Sequence, residues 1–396
     1  MSFIRQITAV TAMNLRNIPR RLGNSLVIVI GFAGAVAVFI PILVMSISFR
    51  ATIKGDGHDG RAIVLTQRAT AEPESSLTRD EVAAIMDYPQ VRRDSRGKPV
   101  ASGELVLVAP VSRKRDRSDV NVTLRGVSGQ YFALRPELKL RSGRMFEPGT
   151  QELIVGVGAA SQFEGLEVGD NVRLQDGDWK VVGTFEGGNG ARESEVVADV
   201  LTVMSAYKFN TFHSLTVALR SPQEFAAFKD TVTRDSKAIL TARSEPEYLE
   251  QTSSSVNRML RLVAYSIGSI MALGALFSAL NSMYSAVAAR NVEMATLRAL
   301  GFSSAAVAGG VLIEALLLAF VGALIGVAAA YVLFNGATIS TLGGAVWDSQ
   351  LVYSLSITPA LTIGVVMVAC ALGLAGGLLP AIRAARANIA EALHET

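Results

Sequence analysis

"RNVEMATLRALGFSSAAV", residues 290–307, lies between two long apolar runs. It carries strong helix formers, two arginines and a glutamate, and Gly301 follows its last helical position as a stop signal. A plain polar turn would connect two membrane spans equally well. A short charged helix in that place implies that something outside the bilayer uses it, so the runs on either side have to be read first.

Half of the 396 residues are apolar and 18% are charged, and the mean hydropathy is positive. Such a chain is too hydrophobic for an ordinary soluble domain, yet it retains a large aqueous part. A net charge of +3 makes nucleic acid a poor partner. The one cysteine, Cys370, lies in an apolar run, so neither an intrachain disulfide nor a cysteine-based metal site can form. The expected fold class is an α-helical membrane protein with four transmembrane helices and a large α+β extracytoplasmic domain between the first and second.

Four stretches meet the ~20 residues a bilayer requires. The spans are expected at 25–48, 259–289, 302–334 and 359–382. The first is too long for the core of a cleaved signal peptide and follows a basic segment, so it reads as a retained anchor. Arg5, Arg16, Arg20 and Arg21 precede span one, Arg290 and Arg298 separate spans two and three, and Arg383 and Arg386 follow span four. The loop 335–358 has no basic residue. The positive-inside bias then puts both termini and the 290–301 helix in the cytoplasm, with 49–258 and 335–358 outside it.

Residues 1–24 read as an interfacial amphipathic elbow. Phe3, Ile4, Ile7, Val10, Leu15 and Ile18 share one face opposite Arg5 and Arg16, and Pro19 and Gly23 predict a bend; a plain extension of the span is the alternative. Within 49–258, "VNVTLRGV" (120–127) alternates as a half-buried strand, and "VRLQDGDWKVVG" (172–183) predicts a hairpin about Asp176-Gly177. Capping boxes are expected at Thr78/Glu81, Ser221/Glu224 and Ser244/Glu247. Strand, helix, strand and helix signals over 214–258 predict a β-α-β half beside a β-rich half, with the last helix running straight into span two. "SRKRDR" (112–117) reads as a solvated hairpin tip rather than a headgroup or nucleic-acid site.

No catalytic or metal site is indicated. There is no G-x-x-x-x-G-K-[ST] and no G-x-S-x-G, and His58, His213 and His394 have no ligand spacing. "GGNG" (187–190) lacks the lysine and helix start of a phosphate loop.

The 290–307 stretch resembles the cytoplasmic segment R-x-x-E-[IM]-[GA]-x-L-[RK]-A-[LI]-G-[AF]-[ST] of MacB/FtsX-type ABC transporter permeases. Three further pieces resemble that family: Ile313-Glu314-Ala315 early in span three, "LPAIRAARANIAEAL" (379–393), and "LRSGRMFEPGTQELIVGVGAASQF" (140–163) of its extracytoplasmic core domain. The resemblance covers essentially the whole chain. The tail departs from it, with isoleucine where the family often has proline.

The resemblance implies that 290–301 couples to an ATPase, through Glu293, Met294, Thr296, Leu297, Arg298, Leu300 and Gly301. Met294, Leu297 and Leu300 form an apolar strip that could enter a groove of a partner or pack on its own subunit. No cofactor is expected in this chain, since ATP and Mg would be bound by a separate P-loop ATPase. The expected setting is a homodimer in a bacterial inner membrane, among lipids, with a periplasmic adaptor as a further partner. Glu314, charged within a span, is a candidate polar site or a structural partner of a neighbouring group. Gly322, Gly326, Gly373 and Gly377 permit close helix packing, within the subunit or at a dimer seam. The implied function is export or extraction of an amphipathic substrate (drug, peptide, lipid or lipoprotein) by mechanotransmission. The alternative is transmembrane signalling to a cell-wall hydrolase.

Overall fold

A computed structural model describes residues 3–17, 22–55, 57–175, 177–187, 190–235, 239–340 and 352–386. The expectations placed on Ile18, Pro19, Arg20, Arg21, Asp176, the centre of "GGNG" and the tail beyond Arg386 lie outside the described residues. Two compact units emerge. One contains residues up to Ser46, Met259–Ala337 and the chain from Leu355 onward; the other contains Ile47–Arg258 and Thr338–Ser354.

The helical unit begins with α1 (Phe3–Asn17) and α2 (Leu22–Gly55). Among the described residues, four helices are long and apolar enough to cross a membrane: α2, α8 (Glu245–Ala288), α10 (Ser304–Phe334) and α11 (Pro359–Arg386). Between α8 and α10 lies α9 (Asn291–Ala299). As the sequence suggests, the helix leading into span two is continuous with it, making one element of 44 residues.

Small residues set the packing of these helices, because no hydrophobic driving force separates helix contact from lipid contact inside a bilayer. A side chain added at Gly322 or Gly326 of α10 would meet the Val29 or Ala33 carbonyl of α2 at 2.7 and 2.6 Å. At Gly373 and Gly377 of α11 it would meet Ala319 and Ala315 of α10, and at Gly376 it would meet Ala279 of α8. The glycines singled out in the sequence therefore form seams between helices of one chain. The amphipathic α1 also packs inward: Val10 is buried on Gly310 and Ile7 lies on Gly309, while Phe3 and Ile4 remain exposed.

The second unit is a sheet with helices against it. Its strands are β1 (Arg61–Thr66), β2 (Ala101–Ser112), β3 (Asp119–Val127), β4 (Lys139–Gly143), β5 (Glu152–Gly156), β6 (Asn171–Leu174), β7 (Gly177–Glu186), β8 (Glu195–Asp199), β9 (Ser214–Ala218) and β10 (Leu240–Ser244). They run in the order β10-β1-β9-β2-β3-β8-β5-β7-β4, with β6 on β7. The two halves expected from the sequence thus share one sheet. The joining element is β2, whose first residues pair with β9 and whose remainder pairs with β3. The predicted β-α-β is present, but β1 inserts between β9 and β10.

Helices α3 (Arg79–Met86), α4 (Tyr131–Leu134), α5 (Val157–Gln162), α6 (Val200–Tyr207) and α7 (Phe225–Asp235) complete this unit. Both sheet faces are covered, which is why several strands read as unbroken apolar runs. Ala62 and Val64 enter one cluster while Ile63 and Leu65 enter another, and Leu153/Val155 divide from Ile154 in the same period-two manner.

Local signals fared unevenly. Thr78 and Glu81 make the full capping box. Ser244 Oγ accepts from the Glu247 amide at 3.4 Å. The Ser221 box does not form: Pro222–Glu224 is a tighter 3-10 turn, and the Glu224 amide donates to the Ser221 backbone carbonyl instead of its side chain. "SRKRDR" is indeed the β2–β3 hairpin tip, and its charges face acidic neighbours, Arg113 with Asp116 and Lys114 with Glu167. Residues 335–358, expected as a plain loop, contain the pair β11 (Thr338–Ser340) and β12 (Val352–Ser354). The Val352 amide donates to Ser194 Oγ at 2.7 Å and Tyr353 stacks edgewise on Phe49, so this strand pair belongs to the sheet unit.

Candidate functional site: an inter-span helix and two buried charge networks

Helix α9 is closed at its C-terminal end by geometry that its sequence dictates, while Arg290 at its N-cap makes no side-chain cap. Gly301 takes a left-handed φ of 93°, which a residue with a Cβ adopts only at a cost. This lets the Phe302 amide donate to the Leu297 carbonyl at 3.1 Å and the Gly301 amide to the Arg298 carbonyl at 3.0 Å, the two bonds of a Schellman stop. Ser303 then caps α10 by accepting from the Ala306 amide, and its own amide donates to Gln6 of α1.

The faces of α9 are unequal. Met294 and Ala295 are buried, Leu297 and Arg298 are half-buried, and Val292, Glu293, Thr296 and Leu300 are exposed, Leu300 by 73%. The expected strip therefore winds off one face. A three-residue step falls ~60° short of a full turn, so Met294 and Leu300 differ by ~120° around the axis. The outward apolar contribution comes from Val292 and Leu300, and Met294 anchors the helix inward.

Directly before α9 stands Arg290, 3% exposed, which in the sequence opens the 290–307 motif and contributes to the arginine bias. Its Nη2 donates to both carboxylate oxygens of Glu314, at 2.7 and 2.9 Å, and its Nε donates to the Ala286 carbonyl at 3.3 Å. Glu314 is thereby paired within the helical unit, as a charge in an apolar helix requires. Polarity in "ARNVEM" and a lone glutamate in an apolar helix were both visible in sequence, but their distance apart in the fold was not.

A second network, absent from the sequence reading, lies inside the sheet unit. Arg61, Arg125, Arg135 and Arg192 are buried among Glu72, Glu104, Glu195 and Glu245. Glu104, fully buried, accepts from Arg125 at 2.7 Å and Arg135 at 3.3 Å. Glu245, the first residue of α8, meets Arg61 at 2.7 Å and Arg135 at 3.1 Å. Burial by itself would push the Glu72 carboxyl up, but the Arg125 and Arg192 guanidiniums outweigh it and hold Glu72 at about 2. The same two arginines lower Glu195 against its burial. Burial also raises the Tyr131 hydroxyl to about 12, with the Arg135 guanidinium lying 4.5 Å from its ring centroid. One signal for this network was available: Arg125 in "VNVTLRGV" occupies an alternate position that becomes interior once both sheet faces are covered. Among the described residues no cluster of histidine, cysteine and carboxylates has the makings of a metal site.

A four-span chain with a sheet domain after span one and a closed helix between spans two and three matches two family descriptions. The MacB-like periplasmic core domain covers residues 23–235, and the FtsX-like permease C-terminal domain covers 265–389. The chain belongs to the MacB/FtsX type of ABC transporter permease. Among its relatives, the macrolide export ATP-binding/permease protein MacB of Neisseria gonorrhoeae is 25% identical over 301 residues, which are 70% of this chain and 44% of that protein. The ABC transporter permease YknZ of Bacillus subtilis is 22% identical over 354 residues, 83% of this chain and 82% of that one. The permease thus spans about half the length of the MacB relatives it matches. Solved structures similar to it include the extracellular domain of YknZ from Gram-positive bacteria, with TM-score 0.36, 16% identity, and coverage of 46% of this chain and 99% of that one. The periplasmic region of MacB from Actinobacillus actinomycetemcomitans has TM-score 0.38, 12% identity, and coverage of 53% and 95%.

Proposed function

We propose that this permease works with a separate P-loop ATPase that carries ATP and Mg, and that its own helices transmit the ATPase stroke to the sheet domain. The observation that carries the reading is α9: a helix closed at Gly301, anchored inward by Met294 and presenting Val292 and Leu300 outward between two spans. A 73% exposed leucine at the end of a charged helix fits a groove on a soluble partner.

Two features support transmission. Helix α8 is unbroken from Glu245 to Ala288, which ends beside the start of α9. Its first residue is fixed by two arginines in the sheet unit. The arginine bias supports cytoplasmic termini in a bacterial inner membrane, with the sheet domain outside. A second copy of the chain would supply the other half of a two-ATPase machine, and a periplasmic adaptor would extend the path. The cargo class is an amphipathic drug, peptide, lipid or lipoprotein; the MacB relatives are named for macrolide export.

The test is co-purification of the tagged permease with the ATPase encoded beside it, comparing the parent with Val292→Asp and Leu300→Asp. Both positions are exposed, so neither change disturbs the fold. The expected result is retention by the parent and a loss of at least about tenfold in the variants, the ~1.4 kcal/mol or more that a buried leucine or valine contributes at an interface. Equal recovery in all three sinks the docking assignment. Capture of a cell-wall hydrolase on the sheet domain, with no cargo moved, would favour the signalling role instead.

A further inference from the structure

We propose that Arg290 and Glu314 are a positioning pair: they latch the start of α9 to α10, so that a displacement of α9 reaches that span directly. The proposal rests on the reading that α9 meets the ATPase, and goes beyond it to name how the motion leaves the helix.

Arg290 belongs to three elements at once. Its amide donates to the Val287 carbonyl at the end of α8, and its carbonyl accepts from the Met294 amide, opening α9. Its guanidinium turns back to the last carbonyls of α8 through Ala286 and to both oxygens of Glu314 on α10. A cation at a helix C-terminus is favoured by the local dipole, so the turn itself orients the side chain. Glu314 stands ten residues beyond Ser304, about 15 Å along α10 at 1.5 Å per residue, and it is the sole charge of that helix.

Stability is a poor reason for keeping such a pair. Removing two ions from water costs as much as their attraction returns, and apolar residues of equal volume serve as well or better. One guanidinium held at two nitrogens, Nε on the Ala286 carbonyl and Nη2 on the Glu314 carboxylate, supplies what apolar packing does not, namely a fixed direction between two elements. Beyond it, the chain joins α9 to α10 through the short 300–303 turn, whose glycine is a natural pivot.

The permease in lipid nanodiscs, without any ATPase, provides the first readout. In Glu314→Gln, hydrogen exchange of the α9 amides is expected to rise about tenfold while α8 and α10 are unchanged, and Arg290→Glu with Glu314→Arg is expected to return it to within about twofold of the parent. Unchanged exchange in Glu314→Gln overturns the latch. Arg290→Met with Glu314→Leu strands no charge and covers the case in which Glu314→Gln does not fold. A folded apolar pair with a loosened α9 supports the proposal, and one with a fully protected α9 overturns it. With the ATPase present, the apolar pair is expected to keep binding and to lose at least about fivefold of permease-stimulated ATP turnover, a typical coupling factor; intact stimulation overturns the proposal. A parent chain that recruits no ATPase removes the docking reading alone, and the exchange result then decides the latch.

Discussion

Glu104 shows how unequal the charges of this permease are. It is fully buried and shared by Arg125 and Arg135, so Glu104→Gln leaves two guanidiniums short of an anion. Breaking such a network costs about 3–5 kcal/mol, whereas the exposed Arg93–Asp87 pair is worth under about 1 kcal/mol. The urea midpoint of the sheet domain, followed in the detergent-solubilised chain, is expected to fall steeply for Glu104→Gln and hardly at all for Asp87→Asn. The network also has a pH signature. Glu72 and Glu195 are held below the ordinary carboxylate range, Glu72 at about 2, so their folded forms bind protons less readily than the unfolded chain. Their contribution is complete above the unfolded value of about 4.3, and is lost as pH falls from there towards about 2. Urea midpoints measured across that window are expected to drop, with a shallower slope in Glu72→Gln; a midpoint insensitive to acid would show that these carboxylates are not held as described.

At the scale of elements, the glycines of α10 and α11 are placed by helix periodicity and used by helix contact. Gly326 lies against Ala33 and Val36 of α2, and Gly364 of α11 has no neighbour within 4 Å of an added side chain. Gly326→Leu is therefore expected to lower stability by about 1–3 kcal/mol through overpacking, while Gly364→Leu leaves it level or slightly improved by helix propensity. Size-exclusion melting curves in detergent separate the two; equal behaviour would mean that the α2–α10 seam is not close-packed. The G-x-x-x-G spacing was legible in the sequence, but the choice between an internal seam and a dimer seam was not. That choice belongs to whichever helix arrives opposite, here α2.

For the whole molecule, the feature that matters is α8, one helix from the charge network at Glu245 to the turn at Arg290. If the stroke travels along it, a break should uncouple without dismantling. Ser255→Pro changes an exposed interior position and costs about 3 kcal/mol of local helix. The ATPase is expected to bind as before, while the ATP-dependent change in hydrogen exchange across the sheet domain disappears. A response of parental size in this variant would remove α8 as the transmitting element.

What the sequence determined on its own is whatever one-dimensional pattern can specify. Four apolar runs longer than a bilayer is thick, the arginine bias between them, the Thr78 capping box and the stop at Gly301 all follow from residues within a turn or two of one another. Tertiary structure alone decided which of the charged residues are structural. Arg125, Glu104 and Glu245 look like ordinary surface charges until β2, β3 and the start of α8 converge, and Arg290 looks like a topology signal until α10 brings Glu314 within 2.7 Å. The same holds for β11 and β12, too short to read, which exist because Ser194 and Phe49 receive them. Desolvation is the physical reason: whether a charge is solvated or must be paired depends on what covers it, and the covering groups come from residues far away in the chain.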